Sequence, residues 1–171
     1  SVIDAADYFT KLEGAMVMVD PDKRREVIAS QVRDAAASVG GRVLEDDELL
    51  ETINFLVEYP TAVAGAFDAH FLELPEELLI LSMKTHQKYY AVVDEHGKLT
   101  NNFVTVSNTR AKDMSVVASG NERVLRARLA DARFFYDEDL KKSLEEHLEG
   151  LKNVVFQRKL GTSYEKVERF T

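Results

Sequence analysis

The chain has 171 residues, of which 45% are apolar, enough to fill the core of one domain or of two small ones. Its formal net charge of −8 argues against a general nucleic-acid coat, so any contact with a polyanion must be local. No cysteine occurs, which rules out a disulfide framework and a thiolate metal site. Nothing resembles a signal peptide or a run of about 18 apolar residues, and we expect a cytosolic protein with no membrane contact.

The first sixty residues predict two helices. Asp20-Pro21-Asp22 combines an N-cap, a proline at the first helical position and an acid in the first turn, and Gly40-Gly41 ends the helix that begins there. A second helix is predicted from about Asp46 to Glu58, so that the two form a helical hairpin. The short apolar run at 15–19 has strand character.

The middle of the chain predicts a β-hairpin. Tyr89 to Asp94 and Leu99 to Ser107 are rich in Val, Phe, Tyr and Thr, and the loop between them has the length and the glycine of a hairpin turn. Because two strands alone are marginal in water, 15–19 and part of 61–67 are expected to complete a sheet. Before the hairpin, Pro75 and the two acids after it favour a helix to about residue 86, although the apolar run inside it also fits a buried strand.

From about residue 113 the pattern predicts helices only. The stretch Gly120–Tyr136 has an apolar stripe. Beyond it, five apolar residues fall within about 80° of arc if they lie on one helix, which predicts that they form a buried face: Leu140, Leu144, Leu148, Leu151 and Val155. Thr162 and Glu165 have the spacing of a capping box that opens another helix. The chain stops soon after it and begins with Ser, so we expect an excised fragment.

These elements predict an α+β fold. N-terminal helices pack on a small antiparallel sheet that contains the β-hairpin, and an all-helical segment follows. The expected domains are residues 1–112 and 113–171. No repeat or low-complexity segment interrupts them.

No motif predicts an active site. The four histidines have no metal-binding spacing, and the carboxylate clusters lie at a helix start and on a helix face, where they favour capping and solubility. Gly120 lacks the glycine-rich surroundings of a phosphate-binding loop, and no nucleophile elbow occurs. We therefore predict no catalytic residue and no metal site in this chain.

One stretch that could bind RNA lies at the predicted helix-to-strand junction, residues 83–90. It concentrates lysines, a histidine, a glutamine and tyrosines that can grip phosphates and stack on bases. The tRNA-binding candidates here are Lys84, Gln87, Lys88 and Tyr89. An exposed junction with core tyrosines and solvated lysines explains the pattern equally well.

The second stretch is Gly120–Tyr136, which carries a charge of +2 and leaves −10 for the rest of the chain. Its tRNA-binding candidates are Arg123, Arg126 and Arg133, and the alternative is that they form salt bridges to protein. Arg128 and Asp131, three residues apart on a helix, are predicted to form a structural ion pair at the edge of the core.

Several long runs resemble the beta subunit of bacterial heterotetrameric glycyl-tRNA synthetase. They are MKTHQKYYAVVDEHGKLTNNFVTVSN and GNERVLRARLADARFFYDEDLKKSLEEHLEGLKNVVFQRKLGTSYEKVERF, with a weaker match upstream through LVEYPTAVAGAFDAHFLELPEELL. The basic and aromatic candidates of both stretches match the family's pattern. The resemblance covers most of the chain and identifies it as an internal fragment of that subunit.

The resemblance implies a division of labour between subunits. The alpha subunit would carry the class II catalytic core that activates glycine with ATP and Mg, while the longer beta subunit would serve tRNA recognition and charging. The fragment itself is then expected to be non-catalytic and to hold no cofactor. Its implied partners are the alpha subunit, the tRNA for glycine and the rest of the beta subunit.

The resemblance also implies what the two parts are. The α+β part resembles the editing-type domain in the beta subunit of phenylalanyl-tRNA synthetase, and the helical part resembles the start of an HD-type helical domain. Two functions stay open: direct contact with tRNA, and a scaffold role in inter-domain or alpha–beta docking without RNA contact. A residual editing activity is a third idea that rests on fold analogy alone.

Overall fold

The computed structural model describes residues 4–170, without the side chain of Ala6. Its internal contacts divide the chain into two compact units, one extending to Ala132 and the other beginning at Arg133. The α+β class predicted from the sequence is confirmed. The assignment of residues 1–112 and 113–171 to separate domains stays a prediction.

The first unit begins with three helices: α1 (Tyr8–Gly14), α2 (Pro21–Ser38) and α3 (Asp47–Leu56). The predicted start of α2 is confirmed, because the Asp20 carboxylate accepts hydrogen bonds from the backbone N–H groups of the next turn. Asp46 caps α3 in the same way. Capping side chains thus set where both long N-terminal helices begin.

Four strands form one antiparallel sheet in the order β1-β3-β4-β2. They are β1 (Arg42–Val43), β2 (Thr61–Ala66), β3 (Tyr90–Val93) and β4 (Leu99–Ser107). The predicted β3–β4 hairpin and the strand within 61–67 are confirmed, but the strand expected at 15–19 is wrong. That stretch connects α1 to α2 through a turn with a positive φ at Met16, and it pairs with no strand.

Between β2 and β3 the chain forms a 3-10 helix (Ala69–Glu73), the helix α4 (Glu76–Ser82) and a π-helical turn (Met83–Gln87). The helix predicted to about residue 86 is therefore α-helical only over its first part. After β4 comes α5 (Met114–Asp139), whose last seven residues belong to the second unit.

Each face of the four-stranded sheet is covered. Side chains of α2 and α3 pack with alternate residues of the strands in a core of Ile28, Val32, Ala36, Val43, Leu49, Ile53, Val57, Tyr90, Val92 and Val104. On the opposite face Phe103 is completely buried, and α5 comes close to β2 there, with Leu125 and Leu129 also completely buried. The first part of α5 is thus an integral layer of the first unit.

In the second unit, α5 ends and the chain continues through α6 (Leu144–Gly150), a 3-10 turn (Leu151–Asn153), the strands β5 (Val155–Gln157) and β6 (Gly161–Thr162), and α7 (Ser163–Glu168). The predicted capping box of Thr162 and Glu165 is confirmed at the start of α7. The segment is not all-helical as predicted, because β5 and β6 pair as a small antiparallel hairpin.

The predicted buried stripe is wrong. Leu140 is 67% exposed, Leu144 84% and Val155 70%. The stripe assumed one continuous helix, but Ser143 and Glu146 form a capping box that starts α6 anew, and Val155 lies in a strand. Within the described part of this unit, residues 133–170, no side chain reaches the degree of burial of a core residue.

Candidate nucleic-acid interface

The helix-to-strand junction is built from a π-helical turn. The backbone N–H of Tyr89 donates to the carbonyl of Met83 across the wide turn, and Lys88 adopts the left-handed conformation with a φ of 57°. This conformation is uncommon for a residue with a side chain and reverses the chain direction before β3. The junction is therefore a defined turn.

Lys84 is engaged by two carboxylates. Its Nζ lies 2.7 Å from an Asp46 oxygen and 2.8 Å from a Glu48 oxygen, at the start of α3. The hydrogen bond to Asp46, followed by that to Glu48, raises the pKa of Lys84. Partial burial on its own would raise the pKa of Asp46, but the bonds from Lys84 and from the Leu49 backbone outweigh it and lower that pKa. Two carboxylates therefore surround the single positive charge of Lys84, and the local net charge is negative.

Tyr89 lies inside the core. Its ring stacks on Phe103 with centroids 4.7 Å apart, and its hydroxyl donates to Asn121 Oδ1 at 2.5 Å. Only 4% of the residue is exposed, and burial raises the pKa of its phenol to about 12. A ring that is buried and already stacked on Phe103 is not available to stack on a base.

The other two junction candidates are half-buried. Lys88 Nζ donates back to the carbonyl of Thr85 at 3.1 Å, within its own turn. Gln87 lies at the end of the π-helical turn. The four junction candidates are close in the sequence, but in the structure their side chains lie in different surroundings.

The arginines of α5 within the first unit present a different picture. Arg123 is exposed and has no carboxylate partner within residues 4–170. Arg126 donates from Nε to Asp68 at 3.0 Å while 56% of its side chain stays exposed. The two line an open pocket of about 430 Å³ with Ser119, Gly120 and Glu122. This is the basic concave surface of the first unit.

Arg133 belongs to the second unit, where its Nε lies 3.7 Å from Asp137. Arg128 and Asp131 are both exposed, and no ion pair joins them among the residues that the structure describes. Their predicted pairing stays a prediction. The structure therefore groups Arg123 with Arg126 only.

Sequence reasoning missed the polar residues that position α5. Beside Asn121, which holds Tyr89, Glu122 accepts a hydrogen bond from the backbone N–H of Ala66 at 2.9 Å. Asn121 lies four residues before the buried Leu125, on the same side of the helix, and that spacing is a signal for a core-facing position. These contacts attach α5 to Tyr89 and to β2, and so fix where the arginines lie.

The described residues contain neither a group of three His, Asp or Glu side chains suited to a metal ion nor a helix long and apolar enough to cross a bilayer.

Comparison with known proteins assigns the chain to a family. The model of the family described as "Glycyl-tRNA synthetase beta subunit" matches residues 1–171. The chain is 53% identical over 169 residues to the glycine–tRNA ligase beta subunit of Geobacter metallireducens, covering 99% of this chain and 25% of the relative. It is 56% identical over 163 residues to that of Syntrophotalea carbinolica, covering 95% and 24%, and 53% identical to that of Syntrophus aciditrophicus, covering 99% and 24%.

These matches identify the chain as a component of an aminoacyl-tRNA synthetase. The chain belongs to the glycyl-tRNA synthetase beta subunit family, as the resemblance implied. It spans about a quarter of the length of the curated relatives it matches.

Proposed function

We propose that this chain contributes to tRNA recognition and assembly in a cytoplasmic glycine–tRNA ligase and does not itself hold the catalytic core. The observation that carries the RNA contact is the surface of α5 with Arg123 and Arg126. Within the larger enzyme, the proposed partners are the alpha subunit, which would use ATP with Mg to activate glycine, the tRNA for glycine and the rest of the beta subunit.

Electrostatics favours α5 over the junction as the RNA contact. Arg123 forms no ion pair among residues 4–170, and Arg126 uses one of its five N–H donors on Asp68. Glu122, the carboxylate that lines the same pocket, accepts a hydrogen bond from the backbone of Ala66 and forms no ion pair with either arginine among the described residues. The two guanidinium groups thus keep most of their N–H donors available, whereas Lys84 faces two carboxylates. Because the chain as a whole carries −8, a phosphate backbone can bind only where arginine or lysine donors remain unpaired.

Salt dependence of tRNA binding tests this proposal. Binding of the chain to a transcript of the tRNA for glycine should weaken steeply as salt rises, because phosphate contacts release counterions. The double variant Arg123→Gln/Arg126→Gln should bind more weakly and lower the logarithmic salt slope by about two, one per lost contact. Fluorescence anisotropy over a range of potassium chloride concentrations measures both quantities.

Arg33→Gln is the matched control. Arg33 is an exposed arginine on α2, and its carboxylate partner is Glu45. The loss of one positive charge there should leave the slope unchanged, whereas each charge lost from α5 should lower it by about one. If the control lowers the slope by as much per lost charge as the double variant does, general charge accounts for binding and α5 makes no specific contact.

A second candidate, the scaffold role, is favoured by the second unit. Residues 133–170 contain no buried side chain, while they expose large apolar residues: Phe134, Phe135, Leu140, Leu144, Val154, Val155, Phe156, Leu160 and Phe170. Lysines lie over three of its aromatic rings, as Lys152 does over Tyr164. A surface of this kind marks an interaction site, and we propose that another part of the beta subunit covers it, as in the start of an HD-type helical domain.

Hydrogen exchange tests the scaffold role. Amides of 144–170 should exchange at least ten times more slowly in the complete beta subunit than in this chain, since docking would bury the apolar side chains and suppress local opening. The β3–β4 amides, already in the core, serve as the internal control. Equal exchange of 144–170 in both proteins would eliminate docking through this surface.

A further inference from the structure

Strand β2 forms one edge of the four-stranded sheet, and its outer side faces away from β4. Backbone N–H groups alternate between the two sides of a strand, and those of Ala62 and Ala66 donate to side chains, so the N–H of Ala64 also points outward. An edge with unpaired backbone groups is a template on which another strand can pair.

The composition of β2 does not protect this edge. Its six residues, TAVAGA, include no charge and no proline, the residues that commonly keep edge strands from pairing. An open groove of about 770 Å³ runs beside Thr61–Ala64 and the C-terminal half of α2. The described residues therefore leave space next to the strand.

Two side chains from different helices occupy the positions that a neighbouring strand would use. Gln31 of α2 accepts from the N–H of Ala62 through Oε1 at 2.9 Å and donates from Nε2 to the carbonyl of Pro60 at 3.3 Å. Glu122 of α5 accepts from the N–H of Ala66 at 2.9 Å. One N–H, that of Ala64, lies between them without such a cap among residues 4–170.

We propose that Gln31 and Glu122 close the edge of β2 and thereby prevent a second copy of this chain from adding to the sheet. An antiparallel pair of β2 strands centred on Ala64 would place Ala62 of each copy opposite Ala66 of the other. Each such pair needs the N–H groups that the two side chains occupy. With the caps in place only the hydrogen bonds of Ala64 remain, too few to hold two strands together.

Site-resolved hydrogen exchange of the wild-type chain is the first test. The amides of Ala62 and Ala66 should exchange at least ten times more slowly than that of Ala64, because they are hydrogen-bonded and it is not. Glu122→Leu should remove the protection of Ala66 alone. Glu122→Gln keeps the Oε1 acceptor and should retain that protection. Fast exchange at all three amides in the wild type would overturn the proposal.

Self-association is the second test. The double variant Gln31→Leu/Glu122→Leu of the whole chain should show a weight-average mass that rises with concentration from 19.3 kDa toward its double, beyond any rise in the wild type. The amide of Ala64 should gain protection in parallel. Association through the apolar residues of 133–170 is common to all variants and cancels in the comparison. A folded double variant whose mass follows the wild type, or which associates without protection at Ala64, refutes the proposal.

Discussion

At Gly65 of β2, the addition of a single methyl group is expected to change the stability of the fold. A Cβ at this residue would lie 2.6 Å from Phe103 Cζ and 3.2 Å from Glu122 Cγ. Carbon atoms in contact are ordinarily about 3.5 Å or more apart, so the ring or the strand would have to move by close to 1 Å. Phe103 has little freedom to move, because it is completely buried and stacked on Tyr89.

The expected cost of Gly65→Ala follows from two opposing effects. Overpacking a closed core costs roughly 1–3 kcal/mol, while replacing glycine within a strand recovers about 0.5–1 kcal/mol of backbone entropy. The net loss should therefore lie between about 0 and 2.5 kcal/mol in the free energy of unfolding. The displaced Glu122 would also weaken its cap on Ala66. Urea unfolding of the first unit, followed by tyrosine near-ultraviolet circular dichroism, measures the change.

Gly120→Ala is the matched control, since it makes the same chemical change in α5 where nothing lies within 4 Å of the new methyl group. It should stabilise the chain by about 0.5–1 kcal/mol, because alanine is the better helix former. Phe103→Leu should cost less in the Gly65→Ala background than in the wild type, because the smaller side chain relieves the clash. Equal signs for the two glycine replacements would refute the steric reasoning.

Three further outcomes are expected. Asp68→Asn should strengthen tRNA binding by up to about fivefold in anisotropy titrations, because it frees the guanidinium of Arg126 from an exposed pair worth at most about 1 kcal/mol; weaker binding would contradict the RNA role. Tyr89→Phe should lower the free energy of unfolding by about 1–2 kcal/mol in urea titrations, because Asn121 loses its donor. Burial raises the pKa of Tyr89 to about 12 and also raises the pKa of Tyr90. The free energy of unfolding should therefore be constant below pH 10 and fall as the pH rises toward 12, because the tyrosines of the unfolded chain ionise first. Phenolate absorbance from all six tyrosines near pH 10 in the folded protein would contradict this expectation.

Local signals predicted the helix starts well, because they depend on neighbouring residues. Asp20, Pro21 and Thr162 act through contacts within three residues, and the structure confirms both starts. The overlooked capping box of Ser143 and Glu146 is of the same kind and was legible in the sequence. Because this capping box starts a new helix, the leucines before and after it do not share one helical face, and the predicted stripe was wrong.

Features that depend on distant residues could not be predicted. Strand β1 has two residues and exists because Arg42 and Val43 pair with β3, fifty positions away. The burial of Tyr89 depends on Asn121 and Phe103, and the neutralisation of Lys84 depends on the capping acids of α3. Composition identified the basic and aromatic residues of the junction, but only the fold shows which of them remain available to a ligand.

The first part of α5 connects the sheet to the proposed RNA contact. Its inward residues Leu125 and Leu129 bury completely, and Glu122 ties the helix to the edge strand. A helix held by both apolar and polar contacts keeps its outer side chains in a defined place, so Arg123 and Arg126 need little ordering to meet a phosphate. The same hydrogen bond allows Glu122 to cap the N–H of Ala66 at the edge of β2. A substitution that loosens α5 should therefore expose the edge and weaken RNA binding together, whereas Arg123→Gln should affect RNA binding alone.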